Sequence, residues 1–255
     1  MRNAFHAEWT KARSLSATIW LLAGVLGATV AVGALAVTSA QHGADADPVK
    51  TSLTGVYLGQ VVAAVLGVLA ISGEYGTGMI RVTLTAMPRR TTLLAAKAAV
   101  LTGLVLAAGT VAVLGSVLAG RLILPGHGFT TAHGYPPLSL ADGPYLRAAA
   151  GSVLYLSLVG LLGLGIATAI RDSAVAIGGV LGLLYLFPVA AAAISNPAWQ
   201  RHLEQIAPMS AGLAIQATTG LRGMPVSPWA GLGVLAAWAA GAMLAGGLLL
   251  RLRDA

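Results

Sequence analysis

The sequence predicts an all-α integral membrane protein of about six transmembrane helices, with an N-terminal amphipathic interfacial helix and both termini in the cytoplasm. Three observations lead there. Of 255 residues, 57% are hydrophobic and only 9% charged, against roughly 25% charged in an ordinary soluble domain. The apolar residues gather into six uncharged runs, each near the 20 or so residues a helix needs to cross hydrocarbon. The basic residues fall between these runs and favour alternate connections, as in chains that keep Lys and Arg on the cytoplasmic side.

The first element is the segment HAEWTKARSLSATIW. Phe5, Trp9 and Ala12 recur three or four residues apart while Glu8, Lys11 and Arg13 fall largely on other faces, which is the pattern of a short amphipathic helix. Trp9 and Trp20 suit headgroup depth; a solvated tail is the alternative. The first apolar run, 19–38, is longer than the core of a secretory signal and is preceded by an acid, so a retained span is expected.

The other runs cover 53–73, 98–120, 148–170, 173–195 and 230–250, within one transmembrane domain over 1–255. Only Arg171 and Asp172 separate the fourth from the fifth, so these two form a tight helical hairpin. The connection 121–147 is rich in Gly and Pro and reads as irregular surface chain. In 196–229 the stretches AWQRHLEQIA and SAGLAIQATTGL are helical, broken at Pro208 and Pro225; a re-entrant or interfacial helical pair and an ordinary loop are equally compatible with them.

Orientation follows from Lys and Arg alone. With the N-terminus inside, ten lie on the cytoplasmic side (Arg2, Lys11, Arg13, Arg81, Arg89, Arg90, Lys97, Arg171, Arg251, Arg253) and five outside (Lys50, Arg121, Arg147, Arg201, Arg222). The acids divide evenly. A plasma-membrane location with both termini cytoplasmic is therefore expected, the positive loops lying against anionic lipid.

Several function classes lose support. The net charge of +7 is spread between spans, whereas a nucleic-acid groove binder clusters it on one face. Cysteine is absent, so there are no disulfides, thiolate metal sites or cysteine nucleophiles. His6, His42, His127, His133 and His202 lack the spacing of a helical metal site. Neither a phosphate-binding loop ending in Lys-Ser or Lys-Thr nor a nucleophile elbow is present. The apolar runs hold no ionisable residue, which argues against a proton relay. An enzyme is not expected. Polar side chains within the runs are few; Tyr57, Gln60 and Tyr185 line a cavity if they face one, and otherwise act as packing glue between helices. Small-residue spacings such as Gly24 to Ala28 and Gly178 to Gly182 permit close helix approach.

The stretch ISGEYGTGMIRVTLTAMPRRTTLLAAKAAV, from Ile71 to Val100, carries the most information. Glu74 sits where the second span ends, and a carboxylate there opposes the helix dipole by about 0.3–1 kcal/mol. A cationic partner is expected, with Arg81, Arg89 and Arg90 in reach. Thr77 suits the cap of a short amphipathic helix bearing Ile80, Leu84 and Met87 on one face, and Pro88 stops it. Thr91 suits the cap of the third span, and Lys97 is placed to extend its ammonium back to the headgroups.

Glu74, Gly76, Thr77, Gly78, Arg81, Leu84, Pro88, Arg89, Arg90 and Lys97, with the opening AEWTKARSLSATIW, resemble the first inner loop and N-terminus of permease subunits of ATP-binding-cassette (ABC) transporters of the type-2 exporter class. The chain departs from that pattern at Gly76, often basic there, in the position of Gly78, and in the loop bearing His127 and His133. The resemblance implies a coupling helix from Thr77 to Met87 that docks on a separate ABC ATPase subunit, with Glu74, Gly78, Arg81, Pro88, Arg89 and Arg90 around it. It implies a second permease copy, in a homodimer or heterodimer, and ATP and Mg on the ATPase with no cofactor in this chain. The implied activity is export of a hydrophobic or amphipathic compound. An ATPase-independent multi-span carrier or a structural membrane anchor is the alternative.

Overall fold

The computed structural model describes residues 2–41, 43, 46–79, 90–135 and 138–252, with side chains from residue 4 onward. The fold is all-α, with no strand among the described residues, and six helices are long and apolar enough to span a membrane. These are α2 (Ser16–Thr38), α4 (Val56–Gly76), α5 (Arg90–Ile123), α6 (Gly143–Ile170), α7 (Ser173–Ala193) and α10 (Pro228–Leu252). Four shorter α-helices are also among the described residues: α1 (Arg2–Ser14), α3 (Pro48–Ser52), α8 (Pro197–Ile206) and α9 (Pro208–Leu213). The apolar runs of the sequence all fall on spanning helices; α5 begins further upstream than its run, and so takes Lys97 into its body.

Helix α6 is the centre of the bundle, packed on α4, α5, α7 and α10, with α2 closing against α4 and α5. Close crossings are made by glycine, because helices in an apolar solvent gain little from excluding it and associate mainly by backbone approach. A Cβ at Gly67 of α4 would overlap the Gly160 carbonyl of α6, and one at Gly163 would stand 2.6 Å from the Ala64 carbonyl oxygen. Gly165 and Gly246 bring α6 and α10 together in the same way. The spacings first singled out are not these crossings. Gly178 and Gly182 face open space, and Gly24 is in contact with only a Val62 methyl.

Arg171 and Asp172 form the tight turn between α6 and α7. Arg171 closes α6 in the left-handed conformation at φ 66°, and Asp172 caps α7 by accepting from the Val175 amide at 2.8 Å.

At the end of the bundle away from the termini, the connection after α5 is not surface chain throughout. Leu124, Phe129 and Leu138 are buried in a second apolar cluster with Val37, Val49 and Leu53. Gly and Pro gave the turns correctly, while the few apolar residues between them supplied the burial. Past α7, the structure forms a helical pair: α8 lies on the outside with no buried residue, and α9 with the 3-10 turn Ala214–Gln216 is buried. Glycine again makes room, since Cβ atoms at Gly151 and Gly231 would overlap Ile215 and the Ala211 carbonyl. Asp47, which caps α3, also accepts from the Thr218 hydroxyl at 2.8 Å and so ties the first far-end loop to the last.

Candidate functional site

Helix α4 is uncharged until Glu74, two residues before its end. Thr77 then closes the helix: its amide and hydroxyl both donate to the Gly73 carbonyl, the hydroxyl at 2.8 Å. A hydroxyl beside the last carbonyls of a helix satisfies one that lacks a partner. Gly78 follows at φ 70°, the left-handed position after a helix end that glycine occupies without strain. Ile80, Arg81, Leu84, Met87, Pro88 and Arg89, and with them the expected coupling helix, lie outside the described residues.

Among the described residues the partners of Glu74 are lysines, while Arg81 and Arg89 lie outside them. Lys11 of α1 and Lys97 of α5 both donate to Glu74 Oε1, and Lys97 Nζ also donates to Glu8 Oε2 at 2.9 Å and to the Ala70 carbonyl at 3.1 Å. The cluster thus holds two carboxylates and two ammoniums. The side chains of Lys97 and Glu74 are 1% and 3% exposed, that of Lys11 33%. Lys97 therefore does not reach back to the headgroups: it lies on the inward face of α5, under α1, where the two carboxylates neutralise it. Burial of such groups costs several kcal/mol per ion unless attraction and hydrogen bonds offset it; three bonds on Lys97 do so. Within this four-residue cluster, Glu74 Oε2 is buried with no hydrogen-bond partner.

Helix α1 is oriented by this cluster. Ala4 and Glu8 are buried, whereas Phe5 and Trp9 stack on each other at 6.5 Å and face away from the bundle. Two further basic residues fasten the same end. Arg90, the described member of the three arginines considered for Glu74, donates to the Leu250 carbonyl at 2.7 Å, and the Arg171 guanidinium stands 5.5 Å from the centre of the Tyr75 ring. Thr91 lies inside α5 rather than at its cap, because the helix already includes Arg90.

Beside the charges, α1, α2, α4 and α5 enclose a cleft of about 360 Å³. Its walls are apolar, from Leu21, Leu66, Leu69 and Leu104 among others, and its polar lining comes chiefly from Glu8, Lys11, Glu74 and Lys97.

Tyr57, Gln60 and Tyr185 form a different constellation, nearer the bundle's middle. Gln60 is fully buried, accepts from the Tyr155 hydroxyl and donates to Tyr185 Oη at 3.1 Å; Tyr185 in turn donates to the Tyr57 carbonyl at 3.0 Å. Tyr57 contributes its backbone, and its side chain is half-exposed. Gln60 and Tyr185 thus bridge α4, α6 and α7 as interhelical glue, worth about 0.6 kcal/mol per bond. No group of three or more His, Asp or Glu suited to a metal ion occurs among the described residues.

Sequence reasoning missed Glu8, Lys11 and Lys97 as members of one site. The readable signal was a carboxylate and an ammonium three residues apart on α1, with a lysine at the edge of a long apolar run. No family model matches this chain, and no curated protein matches it.

Proposed function

We propose that this chain is the permease subunit of an ABC transporter of the type-2 exporter class, moving a hydrophobic or amphipathic compound with ATP hydrolysed on a separate subunit. One observation carries the reading. The two roots of the connection between α4 and α5 are held to each other and to α1 through Glu74 and Lys97, buried and ion-paired. A connection so rooted transmits a push from an attached ATPase into two spans at once, where a loosely rooted one would absorb it. The likeness of Glu74 to Lys97 to the first inner loop of such permeases, and the excess of Lys and Arg at that end, agree with it. In this reading both termini are cytoplasmic, the membrane is the plasma membrane, and a second permease copy completes the pathway.

The test is co-expression with an ATPase encoded beside this chain, purification in lipid, and hydrolysis measured against a panel of amphipathic compounds. Stable association, a permease dimer by native mass spectrometry and compound-stimulated hydrolysis are expected. Absence of association, with only monomeric permease in lipid, would sink the proposal.

A second reading, an ion-coupled carrier without an ATPase, has one observation of its own. Glu74 and Lys97 are ionisable and buried within spanning helices, although the apolar runs read from the sequence held no such group. Transport by the chain alone in vesicles, collapsing when the proton gradient is dissipated, would favour this reading over the first.

A further inference from the structure

We propose that the cleft between α1, α2, α4 and α5 binds a bilayer phospholipid whose headgroup carries a primary ammonium. This does not rest on the transporter reading.

The cleft has the proportions of a ligand site, since its volume of about 360 Å³ falls within the roughly 300–1,000 Å³ that such sites occupy. From Lys97 to Leu104 its α5 wall runs for about 10 Å, and Leu21 and Leu66 face the same space. Exposed apolar side chains rim it, Leu15 on α2's side, Leu69 on α4 and Met79 beyond. A rim of this kind opens toward hydrocarbon rather than water, so an acyl chain can enter from the side.

The charges choose the headgroup. Glu74 Oε2 is buried without a partner and needs a hydrogen-bond donor; an atom left so costs about 1–3 kcal/mol or more. Lys11 is the one ammonium of the cluster with substantial exposure. A headgroup ammonium entering the cleft displaces Lys11 from Glu74 and donates to it, while Lys11 swings outward onto the headgroup phosphate. Each charge leaves the exchange with a partner. Glu8, Lys11, Glu74 and Lys97 sum to zero, and a zwitterionic headgroup keeps that sum, whereas a net anion would leave one charge unbalanced in a poorly hydrated site. A quaternary ammonium keeps the balance but has no N–H to offer Oε2. The expected order is thus phosphatidylethanolamine above both phosphatidylcholine and phosphatidylglycerol.

The full chain, without any ATPase, is to be purified from nanodiscs containing the three lipids with identical acyl chains in equal amounts, and the retained lipid measured by native mass spectrometry. Phosphatidylethanolamine should be retained at least about tenfold over the others, the ratio that about 1.4 kcal/mol from a charge-assisted hydrogen bond produces. Ala17→Trp places a bulky ring at an exposed position on the cleft wall and should abolish retention while leaving elution and thermal stability unchanged. Glu74→Gln should reduce the preference over phosphatidylcholine to near unity. Equal retention of the three lipids by the wild-type chain, or undiminished phosphatidylethanolamine on a folded Ala17→Trp chain, overturns the proposal. Because no ATPase is present, either result leaves the transporter reading where it stood.

Discussion

Lys97→Met removes the ammonium at the centre of the terminal-end cluster and keeps a side chain of similar length. Deleting one partner of a buried ion pair costs about 3–5 kcal/mol, because the remaining charge stays buried without compensation. Here Glu74 retains Lys11, and the Glu8 side chain, 10% exposed, can draw in water. The loss should fall at the low end, about 3 kcal/mol, which is on the order of a hundredfold in the unfolding equilibrium. Unfolding in mixed micelles with increasing SDS measures it, and limited trypsin cleavage at Lys11 and Arg13 reports release of α1. Lys97→Met with Glu8→Gln leaves Glu74 and Lys11 as a balanced pair, and should recover at least half of the loss. A single variant within about 1 kcal/mol of wild type, with α1 equally protected, would refute the idea that these charges are buried and interdependent. Failure of the double variant to recover would show that charge balance is not the cause.

Gly67→Ala forces a methyl against the Gly160 carbonyl and should cost about 1–3 kcal/mol in the same micelle assay, while Gly178→Ala, facing open space, should leave stability unchanged or slightly raised. Reporter tags after Arg253 or beside Arg171 should give a cytoplasmic address and tags beside His133 or Gly220 an external one; a cytoplasmic signal at residue 133 contradicts the orientation. Thr83→Pro should break the helix expected between Thr77 and Met87, at about 3 kcal/mol for an interior proline, so that the chain inserts at normal abundance yet loses compound-stimulated hydrolysis on its ATPase. Normal stimulation in that variant would make the segment an ordinary loop.

The spans were legible because a run of about 20 uncharged apolar residues has few other uses, and the turn at Arg171 and Asp172 because two residues leave room for nothing else. Helix α5 is longer than the apolar run it carries. Lys97 ends an apolar run on any hydropathy argument, and what permits it inside α5 is Glu8, 89 residues earlier in the chain, and Glu74, 23 residues earlier. Sequence exposed the need of Glu74 for a cation, which is a local matter of helix dipole, but not its source, which is a matter of packing. For Thr77, a hydroxyl suits either end of a helix, and the described residues show it at the end of α4. Gln60 could not be assigned to cavity or glue until Tyr155, on another span, was seen bonded to it.

The cluster at the terminal end divides into halves that are each electrically neutral, and this bears on how the protein is made. Helix α1 brings Glu8 and Lys11, while α4 and α5 bring Glu74 and Lys97. Synthesis delivers α1 first, yet its binding partner on α5 emerges 89 residues later. In the interval α1 can rest on the bilayer surface with its own acid and base three residues apart, close enough to compensate each other. The hairpin of α4 and α5 can likewise enter the membrane with its lysine and glutamate paired across adjacent helices. Neither half waits with a naked charge in lipid, and docking trades partners between two units that were already balanced. Helix α1 is thereby translated before α4 and α5 and takes its final place only after they have paired.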